Sequence, residues 1–180
     1  MTLRGLAVTA VALLGPAWAR ADVVDSAANG FTVKIAMTVQ STPADVYKHL
    51  VHDVGEWWNP SHTFSGDAHN LSIEDRVGGC FCEKLRDGGA TEHMMVVNIL
   101  PGKRLVLRGT LGPFQAMGTE GSMSVALSPD PAGTKVEVTF AVGGYMAGGL
   151  DKLAAPVNGV LTEQFTRLKN YVEHGSSAAK

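Results

Sequence analysis

The last element of this chain constrains everything before it. Leu153, Val157, Leu161, Phe165, Leu168 and Val172 recur at spacings of four, four, four, three and four, while Lys152, Glu163, Arg167, Lys169 and Glu173 occupy the other faces. That spacing predicts one long helix with a single buried stripe, ended near Gly175. Pro156 either starts its regular part or kinks its first turns. What precedes it is a run of strand-like segments, so the stripe must be buried against a sheet. The expected fold is α+β, a curved antiparallel sheet around one helix, and such an arrangement tends to leave a hollow.

Phe31, Val33, Ile35, Met37 and Val39 alternate with Thr32, Lys34, Ala36 and Thr38, the period of a half-buried strand. Ser41-Thr42-Pro43 then supplies a capping hydroxyl and a proline at the first helical position. Val46, Tyr47, Leu50 and Val51 follow at helical spacing and predict a short helix to about His52. Asp53 is placed to cap a second turn through Trp58, which Asn59-Pro60 breaks.

Ser61 to Asn70 is polar and irregular. Strands are expected over Leu71–Asp75, Cys80–Leu85, Thr91–Leu100 and Arg104–Arg108, with turns at Asp87-Gly88-Gly89 and Pro101-Gly102. Gly109 to Thr119 is too rich in breakers for a regular element and reads as a loop or distorted strand. Met123, Val125 and Leu127, then Val136, Val138, Phe140 and Val142, form the cleanest hairpin. No repeat or linker divides Phe31 to His174, so one domain is expected, followed by a disordered tail over residues 175–180.

Met1 to Ala21 carries the parts of a secretory signal: Arg4, an apolar stretch from Leu6 to Leu14, and Ala19-Arg20-Ala21. Cleavage is expected after Ala21, with Ala17-Trp18-Ala19 as a second site. Pro16 and Arg20 interrupt the segment short of the roughly 20 apolar residues that a membrane span requires. The protein is therefore expected to be periplasmic or secreted, with no integral membrane segment after processing. Asp22 to Gly30, small and polar, is expected to be a flexible leader. Cleavage takes Arg4 and Arg20 from 15 basic residues and none from 17 acidic ones, leaving a net charge of −4. A mildly acidic domain without a basic stripe is not built for nucleic acid.

The only cysteines are Cys80 and Cys82, spaced C-x-C in a strand. On an extended strand their Cα atoms lie about 6.5–7 Å apart, near the limit for a bridge, so two buried thiols are expected. His62, Asp67 and His69 share one loop, but no ligand-spaced motif accompanies them and no metal is expected. Nucleophile elbow, phosphate-cradling loop and dinucleotide fingerprint are all missing from the sequence, so no cofactor is expected.

Taken together, Ser41-Thr42-Pro43-Ala44-Asp45-Val46-Tyr47, Trp57-Trp58, Val77-Gly78-Gly79 before Phe81, Asp87-Gly88-Gly89, Ile99-Leu100-Pro101-Gly102-Lys103-Arg104-Leu105 and the closing helix resemble the START-like, or SRPBCC, superfamily. The likeness is greatest to its polyketide cyclase and Hsp-ATPase-activator-homologue-like branches, and it runs from Phe31 to His174. It implies a helix-grip fold of about seven strands, with two short helices after the first strand completing a deep cavity. Members of the superfamily bind lipids, sterols, polyketides or plant hormones, and some catalyse cyclisation or dehydration. The secretory signal departs from the intracellular members that act on chaperones.

Within such a cavity the candidate ligand-binding residues are Trp57, Trp58, Phe81, His93, Met95, Leu161 and Phe165. The adjacent tryptophans point about 100° apart on a helix, so one anchors the helix and the other lines the cavity mouth. By alternation His93 shares an inward face with Met95, Val97 and Ile99, and Glu83 shares one with Phe81. His93 and Glu83, on neighbouring strands, are the candidate acid–base pair. Three functions are compatible with this pattern: binding of a small apolar or amphipathic molecule, which is preferred, a cyclase- or dehydrase-type enzyme, and an envelope protein that docks a partner without a ligand.

Overall fold

The computed structural model describes residues 20–178. Of the segment read as a secretory signal only Arg20 and Ala21 fall within that range, and the rest lies outside the described residues. The elements are β1 (Arg20–Ala27), β2 (Gly30–Val39), α1 (Pro43–His52), α2 (Val54–Trp57), β3 (Leu71–Ile73), β4 (Cys80–Lys84), β5 (Ala90–Leu100), β6 (Arg104–Gly109), β7 (Gly118–Asp130), β8 (Gly133–Tyr145) and α3 (Asp151–His174). The strands form one antiparallel sheet in the order β1-β2-β8-β7-β6-β5-β4-β3. This is a helix-grip arrangement with eight strands where about seven were expected. Among the described residues no helix is long and apolar enough to cross a membrane.

The inner face follows from the alternation. Phe31, Val33, Ile35 and Met37 of β2 stand opposite Val142, Phe140, Val138 and Val136 of β8, and all eight are buried. Leu161, Phe165 and Leu168 of α3 join the same core, and α3 packs against β1, β2, α1 and α2. The hydroxyl of Thr42 accepts from the amide of Asp45, as a cap before Pro43 should. Asp53 does not cap α2 with its side chain; its carboxylate meets Nδ1 of His49 at 2.5 Å instead. Pro156 lies inside α3, which ends at Gly175 with φ 71° and an amide bonded to the Tyr171 carbonyl.

The segment expected to be a flexible leader is β1, paired with β2 from Arg20↔Ala36 to Ala27↔Gly30. Backbone pairing needs no large side chains, and a bulge between Val23 and Asp25 hides the period-two signal. The tail is placed through Ala178, where the Ser177 hydroxyl accepts from the Arg167 guanidinium at 3.0 Å.

Cys80 and Cys82 form a disulfide rather than two thiols. Their Cα atoms are 5.3 Å apart, well inside bridging range, because the pair lies where the β4–β5 register shifts. On β5 one residue is extra: Phe81 pairs with Met94 and Cys82 with Glu92, leaving His93 between them. The bridge closes a very short loop, so Cys82→Ser should lower stability by only about 1.5 kcal/mol. Denaturant midpoints of the variant and the wild type should converge once reductant is added. A much larger loss would mean that the bridge, not the backbone, holds the bulge.

Gly109 of β6 faces this bulge with φ 128°. A Cβ there would meet the His93 carbonyl oxygen at 3.0 Å and the Met94 Cα at 3.1 Å. The close approach of the two backbones therefore requires glycine.

Candidate functional site

The bulge decides what faces inward. His93 and Met94 are both buried, and regular alternation resumes only after them, with Met95 outside at 41 % exposure and Val96 inside. Met95 is thus removed from the candidate site: the extra residue breaks the alternation that placed it beside His93. Phe81 and Glu83 both face inward on β4 as expected.

Glu83 has no exposed surface. Its carboxylate accepts from the amides of Phe64 at 3.1 Å and Ser65 at 2.5 Å, and Nε2 of His93 lies 3.0 Å from it. Burial alone would raise its pKa; hydrogen bonds from Ser65, Phe64 and His93 outweigh that and hold it below the ordinary carboxylate value. Burial pushes His93 the other way, below the ordinary imidazole value, against the opposing pull of Glu83. His93 is therefore neutral near pH 7. Its partners assign the proton to Nε2, facing Glu83, and leave the lone pair on Nδ1, 3.4 Å from Nε2 of Gln115.

The imidazole sits between two rings. Phe64 stacks parallel to it with centroids 5.8 Å apart, and Phe81 lies tilted at 5.3 Å. Gln115, on the helical turn Gly112–Ala116, donates to the Glu92 carbonyl at 2.7 Å and accepts from the Thr91 hydroxyl at 3.1 Å. Neither Gln115 nor the Phe64–Ser65 amides were picked out from sequence. The turn was legible as Gly112-Pro113, but nothing local shows that it folds back over β5.

Beside His93 lies a hollow of about 380 Å³, within the range of small-ligand sites. Its walls come from Leu153, Pro156, Val157, Val160 and Leu161 of α3, Phe140 of β8, Leu111 to Phe114, and Trp58 with Ser61 to Phe64. His93 and His62 are its titratable side chains, and no carboxylate lines it.

The two tryptophans diverge because Trp57 ends α2 while Trp58 has extended backbone, with φ −65° and ψ 141°. Trp57 anchors: it donates to the His49 carbonyl at 3.0 Å and packs against Phe165. Trp58 lines the hollow and donates to the His62 carbonyl at 3.1 Å. Of the expected ligand-binding set, Trp58, His93 and Leu161 reach the wall. Trp57, Phe81 and Phe165 pack behind it. His62, Asp67 and His69 do not converge: His62 faces Glu163, His69 faces Glu56, and Asp67 caps the His69 amide.

Solved structures share this architecture. An uncharacterised protein from Rhizobium leguminosarum is 19% identical, with a TM-score of 0.58 over 87% of this chain and 98% of that one. A conserved protein of unknown function from Enterococcus faecalis is 17% identical, with a TM-score of 0.58 over 89% of this chain and 80% of its own. A protein from Mesorhizobium loti is 19% identical, with a TM-score of 0.55 over 78% and 95%. At these identities the likeness is one of fold. No curated protein matches the chain in sequence. The profile described as polyketide cyclase / dehydrase and lipid transport matches residues 30–173, so the chain belongs to that family.

Proposed function

We propose that this protein is an exported binder of a small apolar or amphipathic molecule, held in the hollow between sheet and α3. One observation carries the reading: a partly open hollow of about 380 Å³ walled mainly by aliphatic and aromatic side chains, with a neutral histidine at its edge. Family membership supports it in kind. Export is supported by the signal-like pattern of Met1 to Ala21 and by the disulfide, which suits an oxidising compartment.

Native mass spectrometry of the protein purified from its own host tests the proposal. A co-purifying small molecule is expected on the wild type and not on Val157→Trp, which fills the hollow from α3. Bare protein in both cases, under gentle extraction, would refute binding.

A second reading, acid–base catalysis of the cyclase or dehydrase kind, rests on His93 in the wall of the hollow with a carboxylate behind Nε2, and it requires the Gln115 amide, 3.4 Å from Nδ1, to give way to the substrate. Glu83 would then be a positioning residue, since it is wholly buried and already bonded to three donors. This reading expects His93→Ala to keep the ligand bound and stop its conversion. Conversion that continues in the variant would eliminate it.

A further inference from the structure

The Ser61–Phe64 segment borders more than the hollow. On the other side of the Ser61–Phe64 segment lies a wider surface groove of about 800 Å³, and Ser61, Thr63 and Phe64 line both. Its remaining walls mix Ser65, Thr91 and Gln115 with Pro60, Leu85 and Ala90, and it contains one charged group, Arg86. No carboxylate lines either space. A molecule occupying both would meet apolar walls, then a neutral imidazole, then hydroxyls and an amide, then a guanidinium.

Arg86 is distinctive among the arginines whose side chains are described. Arg76 pairs with Glu74, Arg104 with Asn98, Arg108 with Glu120, and Arg167 with the Trp57 carbonyl and Ser177. Arg86 is exposed and makes no side-chain hydrogen bond or ion pair among the described residues. A guanidinium fork left open in a groove that adjoins an apolar hollow matches a carboxylate. A single cation also balances a single negative charge.

We infer that the ligand is an amphipathic carboxylate, its chain in the hollow and its head group beside Arg86 in the adjoining groove. Phe64, 55 % exposed while stacked on His93, marks where the chain crosses from one space to the other. This inference rests on the binding reading above and goes further, by fixing the charge and chemistry of the head.

Decanoate and decanol, titrated below their aggregation limits and followed by Trp58 fluorescence and calorimetry, separate the two. Wild type should bind decanoate about fivefold to tenfold more tightly than decanol, the size of one charge-assisted hydrogen bond to a partly solvated group. In Arg86→Gln, whose fold has no bond to lose at that side chain, the ratio should collapse toward one. Equal binding of both compounds by wild type, or an unchanged ratio in the variant, overturns the carboxylate assignment but leaves the binding reading standing. Tighter binding of decyl phosphate than of decanoate overturns it as well. If neither compound binds, or if Val157→Trp binds them as wild type does, both proposals fall.

Discussion

Glu83→Gln should lower the stability of the fold by about 3 kcal/mol at neutral pH, the upper end of the scale for leaving a buried donor without its charged acceptor. Three donors converge on this carboxylate, the amides of Phe64 and Ser65 and Nε2 of His93. Glutamine keeps the shape but turns an NH₂ group toward donors, so at least one of them is orphaned. The segment joining α2 to β3, held to β4 through those amides, should loosen first.

Denaturant unfolding gives the global loss, and amide exchange at Phe64 and Ser65 gives the local one. The pH dependence follows from the lowered pKa of Glu83. Its stabilisation is complete above the unfolded carboxylate value, near 4.3, and is lost as pH falls through the lower folded value. His93, also lowered, adds a loss that begins as pH drops below about 6.5, where the unfolded chain takes a proton that the folded imidazole refuses. A variant as stable as wild type at pH 8 would mean that water replaces the carboxylate without penalty.

Trp57→Ala should have an effect of 3–5 kcal/mol, the range for removing a buried aromatic from a packed core. Its ring is 1 % exposed and lies against Phe165 and Trp58, and its indole bonds to the His49 carbonyl. Truncation opens a void between α2 and α3 and removes one of two donors to the His49 carbonyl, which keeps the Asp53 amide. Trp58→Ala should cost less, because that ring already borders a hollow and its loss enlarges an existing space. Comparison of the two unfolding midpoints checks the assignment of one tryptophan to packing and the other to the wall. Equal losses would contradict it.

Much of this fold can be read from residues alone because its signals are local and periodic. The stripe of α3, the β7–β8 hairpin and the cap at Thr42 each depend on neighbours a few positions away. The inward Glu83 was accessible from its alternation with Phe81, but His93 faces inward only because it is the bulge residue: Met95 and Val97, expected on its face, both point outward. Other features depend on partners distant in sequence. β1 shows no period because a bulge interrupts it, and its pairing is with backbone. The disulfide and the outward Met95 both follow from one extra residue on β5, which alternation counted along a single strand cannot detect. Gly109 was the available clue, a glycine at the end of a strand whose missing Cβ lets β6 approach that residue. Arg86 could not be singled out, because what distinguishes it is the set of partners it lacks.

The bulge on β5 has a consequence for how such a protein changes over generations. Removing His93 from the ladder would leave Glu92 outside and Met94 inside, the regular alternation of an uninterrupted strand. The histidine is in effect a one-codon insertion that gives an apolar wall a polar group and reverses the facing of no other side chain. A deletion at the same codon would take it away as cleanly. Relatives with the same core can therefore gain or lose this imidazole in one step, provided the residue facing it on β6 stays small.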